Sequence, residues 1–425
     1  MSRTVSADAL PQIFKERLRP GMRVFVSGGA NEPHGLLDAL RAVPEACAGV
    51  TFMQSIVPGL NRTDFCALHP EARITSFFMT PETQDAYREG RVDFVPMQIR
   101  VIPDYLAEHP VDLALFSLAD AGDGMLSVGL NADYTDVLFD TARCLVTEAN
   151  RQIPAPVDAR QIARERFECV LECDRPLAEY PLVTPTAEAE AIGRHVAGLI
   201  RDGDCIQTGI GAIPYAVLAA LTDKNDLGLH SGLLDDGGWK LAARGVVTGR
   251  AKPIDTGLIV AGTVLGSPEL YAWAGSAPEI AMRPFSYTHD PQVLASLDNL
   301  VSVNSAMEVD FSGQINSETI RGRQMTGTGG SVDFIRGAGR ARGGRSIIAL
   351  TATAGGGKLS RILPRLAEGS ATTALRTDID YVVTEYGLAH LRYLPLHERA
   401  RALIAIAHPD FRNDLEAQAR EMFPS

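Results

Sequence analysis

Two segments of this chain read alike. Residues 23–40, RVFVSGGANEPHGLLDAL, and residues 204–221, DCIQTGIGAIPYAVLAAL, superpose without a gap. Gly28 meets Gly209, Pro33 meets Pro214, and Leu37, Ala39 and Leu40 meet Leu218, Ala220 and Leu221. Each reads as a buried strand, a glycine turn, a proline in the first helical turn and a helix. The segments that follow, FFMTPETQDAYREGRVDF and LHSGLLDDGGWKLAARGVV, share a strand–loop–helix–glycine–strand order. A repeat of that kind points to two related α/β domains in tandem. Elsewhere VDLALFSL (111–118), CLVTEAN (144–150) and IIAL (347–350) read as buried strands between helical patterns, as in mainly parallel sheets. RPLAEYPLVTPTAEAEA carries three prolines ahead of a helical run, so the expected join lies near 180–190, with domains 1–185 and 186–425.

Composition removes several classes of function. Lys plus Arg total 40 against 52 for Asp plus Glu, a net charge of −12 that argues against a nucleic-acid partner. Hydrophobic residues are 45% of the chain, too many for disorder. The longest uncharged apolar stretch, about 256–266, is too short to span a bilayer, and the N-terminus has no run of signal-peptide length. These features point to a cytoplasmic protein with no membrane partner. The six cysteines make no disulfide framework; Cys169 and Cys173, in FECVLEC, read as buried thiols one helical turn apart. The histidines have no metal-ligand spacing, and no metal site is expected.

GIGAIP (209–214) follows a strand and opens a helix, where glycines admit a close ligand and free amides suit an anion. It is not a dehydrogenase fingerprint, because a proline replaces the third glycine and the next strand, LGLHS, ends without an acidic residue. A tight turn without a ligand is the plain alternative. GTGGSVDF (327–334) is a second glycine turn whose amides suit an oxyanion or a phosphate. From Phe334 to Ala367 the chain holds Arg336, Arg340, Arg342, Arg345, Lys358, Arg361 and Arg365 and no acid. Such a run reads either as a solvated basic loop or as an anion site. GGGKLS (355–360) lacks the first glycine of a phosphate-binding loop, and no Gly-x-Ser-x-Gly elbow occurs.

Several longer motifs resemble the acetyl-CoA hydrolase/transferase family. They include GANEP (29–33), FVPMQIRVIPDYL (94–106), VGLNADYTDV (128–137), QTGIGAIPYAVL (207–218), LGLHSGLLDDG (227–237), GQINSETIRGRQMTGTGGSVDFIRGA (313–338) and DIDYVVTEYGLAHLR (378–392). The nearest likeness is to 4-hydroxybutyrate CoA-transferases, while PGLNRTDF (58–65) looks more like the itaconate CoA-transferase branch. The resemblance implies two α/β domains with the active site in the cleft between them, in a homodimer or larger homo-oligomer. It also implies transfer of CoA from an acyl-CoA to a small carboxylic acid, with the CoA thioester as substrate and no tightly bound cofactor. In the family a glutamate carboxylate attacks the thioester, and an enzyme-bound CoA thioester follows.

The family's glutamate sits where this chain has His230-Ser231-Gly232, so Gly232 takes the nucleophile's place without a side chain. Glu32, at the helix start of the corresponding N-terminal turn, is the carboxylate best placed to replace it; Asp235, Asp236 and Asp64 are weaker candidates. Direct reaction in a ternary complex, hydrolase or lyase chemistry, and a non-catalytic CoA-binding role are the other outcomes. By the same resemblance Asn304 and the amides of Gly329 and Gly330 stabilise the oxyanion. Gln207, Gly209, Gly211, Ala212, Ile213 and Gly327 line the CoA and acyl pocket, and Lys358 and Arg361 approach CoA. Arg62 suits the distal carboxylate of a dicarboxylic acid, because its planar fork matches that group. As a lone exposed residue it reads equally well as surface.

Overall fold

A computed structural model describes residues 3–181 and 183–423 of the chain; Leu182, in the expected join, lies outside them. The residues cluster into two compact units. The first takes Met1–Leu182 with Gly232–Asp236 and Val260–Thr288; the second takes Val183–Ser231, Gly237–Ile259 and His289–Ser425. A single cut at 185/186 therefore does not describe which residues pack together, because two later segments count with the first unit.

The first unit is built on ten strands: β1 (Arg3–Val5), β2 (Arg23–Val26), β3 (Thr51–Gln54), β4 (Arg73–Ser76), β5 (Val92–Phe94), β6 (Leu113–Gly122), β7 (Met125–Ser127), β8 (Leu145–Asn150), β9 (Gln161–Ala163) and β10 (Cys169–Cys173). Eight of them lie in the order β1-β10-β8-β6-β2-β3-β4-β5, every neighbouring pair parallel, with β7 and β9 added antiparallel beside β6. The first seven residues of β6, LALFSLA, are all buried. That is the nearly continuous apolar run, interrupted only by Ser117, expected of a parallel strand covered on both faces. Phe14, Leu36, Leu40 and Phe52 close the core around it without exposure.

In the second unit β11 (Cys205–Thr208) pairs in parallel with β12 (Gly228–Leu234) on one side and with β15 (Leu300–Ser305) on the other, β13 (Ile259–Val264) and β14 (Ile280–Met282) intervening in the chain. Arg345–Ala349 and Tyr381–Thr384 extend the sheet in parallel, and Gly387–His390 ends it antiparallel. The order β3-β2-β6-β8-β10 of the first unit thus recurs as β12, β11, β15, Arg345–Ala349 and Tyr381–Thr384. Val24 pairs with Leu113 as its counterpart Cys205 pairs with Leu300, so the internal sequence likeness reflects a shared strand plan.

Two local readings change. Cys169 and Cys173 lie on β10, so they are about 13 Å apart rather than one helical turn. Burial pushes the Cys173 thiol up to about 12, which keeps it protonated. The second-unit helix begins at Ala212, directly after Gly211, so Pro214 is its third residue, whereas Pro33 caps the helix His34–Arg41.

Gly28 is the tightest point of the first unit. A side-chain carbon there would stand 1.5 Å from the Ser55 carbonyl oxygen, a backbone atom that cannot swing away. Gly28→Ala is expected to cost about 3 kcal/mol or more, the range of severe overpacking. Soluble yield and thermal unfolding of the variant measure it, and an unchanged melting temperature would contradict the close packing.

Candidate functional site

The first-unit turn is assembled from side-chain amides. Gly29, at φ +64°, opens one 3-10 turn to Asn31 before Glu32, Pro33 and the helix His34–Arg41. Asn61 grips Gly29 from both sides: its Oδ1 accepts from the Gly29 amide at 2.9 Å, and its Nδ2 donates to the Gly29 carbonyl at 3.1 Å. Asn131 Nδ2 donates to the Gly28 carbonyl at 3.0 Å. Asn31 Nδ2 donates to the carbonyls of Val128 and Ser117, and the Ser27 hydroxyl donates to the Asn31 carbonyl. Glu32 ends this turn as a buried carboxylate. Its Oε1 accepts from Gln54 Nε2 at 2.6 Å, and its Oε2 lies 3.7 Å from His34 Nδ1.

Gly232 belongs to the same unit and is half-buried within β12. Its carbonyl oxygen would lie 2.9 Å from a side chain on Gly262, and the Phe285 ring already fills that place at 2.4 Å. The adjacent residue Thr263 has its hydroxyl 3.3 Å from the position of a Gly29 side chain. Gly232 therefore borders Gly262, and the turn that carries Glu32 borders the next residue of β13, Thr263, through Gly29. Sequence alone placed these segments far apart, because β12 and β13 lie deep in the second half of the chain.

In the second unit Gln207, Ser302 and Asn304 form a buried triangle at the ends of β11 and β15. Asn304 Nδ2 donates to Ser302 Oγ at 2.8 Å and to Gln207 Oε1 at 3.1 Å, and Ser302 Oγ donates to Gln207 Oε1 at 3.0 Å. Ser302 escaped the sequence reading, although it lies two residues from Asn304 and so on the same strand face. Gly209 and Gly211, the latter at φ +117°, have nothing within 4 Å of where their side chains would stand. They leave the start of the helix Ala212–Ala219 open, with the first amides lacking helical acceptors. Ala212 and Ile213 are half-buried there. Gly327 is buried, Gly329 lies at φ +59°, and a side chain on Gly330 would meet His289 Nε2 at 2.3 Å. Gly330 leads into the helix Ser331–Arg340. Glu318, another buried carboxylate not foreseen, accepts from Thr328 Oγ1 at 3.3 Å beside this turn.

The basic residues are more dispersed than their sequence run suggests. Arg345 is buried against Asp204 and the Leu199 carbonyl, Arg336 pairs with Asp378 at 3.0 Å, and Arg342 pairs with Asp298. Arg361 is half-buried and donates to the carbonyls of Thr353, Ala306 and Met307. Lys358 stands exposed on the turn between Thr353–Ala354 and Leu359–Ser360; Arg340 and Arg365 are also exposed, and none of the three has an ion pair among the described residues. In the first unit, Arg62 is exposed and its Nε donates to the Gly59 carbonyl.

The two units differ most at their helix starts. Glu148 on β8 is 1% exposed and turns its carboxylate onto the helix His34–Arg41, accepting from the Leu36 amide at 2.7 Å and also from the Gly35 amide. The Ser117 hydroxyl donates to its other oxygen at 3.4 Å. Strand register matches Ser117 with Asn304 and Glu148 with Ile348, so the second unit has an apolar residue at this place. The first unit thus supplies its own carboxyl group to the helix start, whereas the second leaves its amides open. Burial raises the Glu148 pKa, opposed by the Leu36 amide and the charge of Arg175.

The chain is similar to several known proteins over nearly its whole length. The family model described as "Acetyl-CoA hydrolase/transferase C-terminal domain" matches residues 266–419. The chain is 37% identical to the 4-hydroxybutyrate coenzyme A transferase of Clostridium kluyveri over 94% of each chain. Among solved structures, RipA from Yersinia pestis superposes with a TM-score of 0.89 at 32% identity, over 98% of this chain and 99% of that one. The 4-hydroxybutyrate CoA-transferase of Porphyromonas gingivalis superposes with a TM-score of 0.82 at 32% identity, over 99% and 98%.

The raised pKa of Glu148 has a signed consequence. The folded state holds this proton to higher pH than the unfolded chain does. The associated stability is fully present below the unfolded value of about 4.3 and is lost as pH rises through the raised folded value. Glu148→Gln keeps an acceptor for the Leu36 amide and cannot ionise. Its melting temperature relative to wild type is therefore expected to improve between about pH 4 and pH 8. Thermal unfolding at both ends of that range checks this; a constant difference would rule it out.

Proposed function

Because the chain belongs to the acetyl-CoA hydrolase/transferase family, we propose that it moves CoA from an acyl-CoA to a small carboxylic acid, with Glu32 as nucleophile. One observation carries this reading. The buried Glu32 carboxylate ends a turn whose Gly29 stands beside Thr263, the residue after Gly262 on β13, and Gly262 borders Gly232, where the resemblance places the family's glutamate. The Glu32 carboxylate attacks the thioester carbonyl and expels CoA thiolate, leaving an acyl–glutamyl anhydride. The thiolate then attacks the glutamyl carbonyl; the first acid departs as its carboxylate, and Glu32 becomes a CoA thioester. The second carboxylate attacks that thioester, expels the thiolate and forms a new anhydride. Thiolate attack on its acyl carbonyl yields the new acyl-CoA and restores Glu32. Splitting the transfer in this way conserves the thioester's energy while water is kept out.

The Asn304 amide and the Gly329 and Gly330 amides stabilise the oxyanions, Asn304 exchanging a bond to Gln207 or Ser302 for the charged oxygen. The open amides at Gly209, Gly211, Ala212 and Ile213, with Gln207 and Gly327, receive CoA, and Lys358 and Arg361 lie on the approach of its phosphates. The acid is 4-hydroxybutyrate, acetate or a dicarboxylate such as itaconate or succinate. Arg62, exposed on its loop, would pair with a distal carboxylate. The enzyme acts in the cytoplasm as a homodimer or larger homo-oligomer.

Glu32 has a side chain only 5% exposed, and a hydrolase would require water to reach it in place of an acid. A panel of acyl-CoAs, each with and without acetate, succinate, itaconate and 4-hydroxybutyrate, separates the two. Mass spectrometry of new thioesters together with a free-thiol assay should show acid-dependent transfer; thiol release without acid would favour hydrolysis. Glu32→Gln is expected to lower turnover at least about a thousandfold while CoA still binds. Borohydride treatment after acyl-CoA addition should modify Glu32. Full activity in Glu32→Gln would remove it as nucleophile.

A further inference from the structure

Beneath the turn that presents Glu32 lies a carboxylate with no counterion. Asp133 has no exposure, and no cation pairs with it among the described residues. Its oxygens accept from the Tyr134 amide, from Asn131 Nδ2 at 3.0 Å and from the Ser55 side chain. Asp136, of the same sign and in the first turn of the helix Thr135–Thr141, acts on it as well. Burying a lone carboxylate is costly, and a neutral residue of similar shape would avoid the cost. Its position suggests what it does there. The Asn131 amide nitrogen has two hydrogens, one directed to Asp133 Oδ2 and the other to the Gly28 carbonyl, both at 3.0 Å. Turning that amide over would set its oxygen against two acceptors at once. An ionised Asp133 therefore dictates which way Asn131 faces, and Asn131 in turn holds the first residue of the turn that ends in Glu32.

We propose that Asp133 is a positioning residue for the transfer: through Asn131 and the Gly28 carbonyl it fixes the turn that presents the Glu32 carboxylate. The inference rests on the Glu32 reading. Burial raises the Asp133 pKa to about 6, against the lowering effect of the Tyr134, Ser55 and Asn131 bonds and with a further rise from Asp136. Ionised Asp133 serves the clamp, so turnover should fall as pH drops through this value.

Asp133→Asn preserves shape and an acceptor for the Tyr134 amide but sets a second amide nitrogen against Asn131. Its kcat is expected to drop about tenfold or more, with KM changed less than about threefold, and the acid limb near pH 6 should be lost. Asn131→Leu should produce a similar fall. The double variant should be no worse than the weaker single one, since both remove the same clamp. Wild-type kcat and pH profile in Asp133→Asn would overturn the proposal. So would strictly additive losses tracking a collapse in melting temperature. Glu32→Gln assayed alongside separates the two claims: activity there removes the Glu32 reading, whereas an inactive Glu32→Gln beside a normal Asp133→Asn removes the clamp alone. Should Asp133→Asn fail to fold, Asn131→Leu and the wild-type pH profile decide the outcome.

Discussion

The first unit is organised around how closely Gly28 approaches the chain after β3. With the Ser55 carbonyl where a side chain would be, the backbone from Ser27 to Glu32 cannot shift without disturbing the sheet beneath it. Asn61, Asn131 and Asn31 then satisfy carbonyls and amides that a turn of this shape leaves unpaired. The result is a rigid support for one carboxylate. Preorganisation of this kind matters for nucleophilic attack, because small displacements of a reacting group forfeit much of the advantage of proximity.

The two units share a strand plan but use its helix start in opposite ways. In the first, Glu148 occupies the amides of Gly35 and Leu36 from within, and three buried carboxylates, Glu32, Asp133 and Glu148, gather around one turn and helix start. The amides of that helix start are thereby taken by the protein's own carboxyl group rather than left for a ligand. In the second, Ile348 stands at the matching place, and Gly209 and Gly211 leave the helix start uncovered. The divergence lies in a few side chains at the carboxyl ends of parallel strands, where folds of this class bind their ligands.

Charge divides along similar lines. The overall −12 argues against polyanions as partners but says little about a single anionic substrate, because screening limits distant charges to about 8 Å at physiological salt. The basic run after Phe334 is also less available than its count implies. Arg336, Arg342 and Arg345 are answered by Asp378, Asp298 and Asp204, which lie well outside the run. Arg340, Lys358 and Arg365 are its exposed charges without ion pairs among the described residues.

Local physics made much of the fold legible. Continuous apolar runs can be satisfied only by strands covered on both faces, and glycine followed by proline marks the passage from strand to helix; β2, β6, β8 and β11 follow from those signals. FECVLEC was ambiguous because a short apolar run has no period that separates strand from helix, and parallel pairing with β8 decided it. Glu32, Asn304 and the glycine turns were readable as candidates from motif and position. Glu148, Asp133 and Ser302 were not, since a carboxylate or hydroxyl acquires its role only when distant strands bring an amide or a second acid to it. By itself the sequence determined many of the strands, turns and helices, though not FECVLEC, and that Gly232 carries no carboxylate. Only tertiary structure decided that Gly232 and the Glu32 turn come up against successive residues of β13, Gly262 and Thr263, because that neighbourhood arises from packing between segments with no common local pattern.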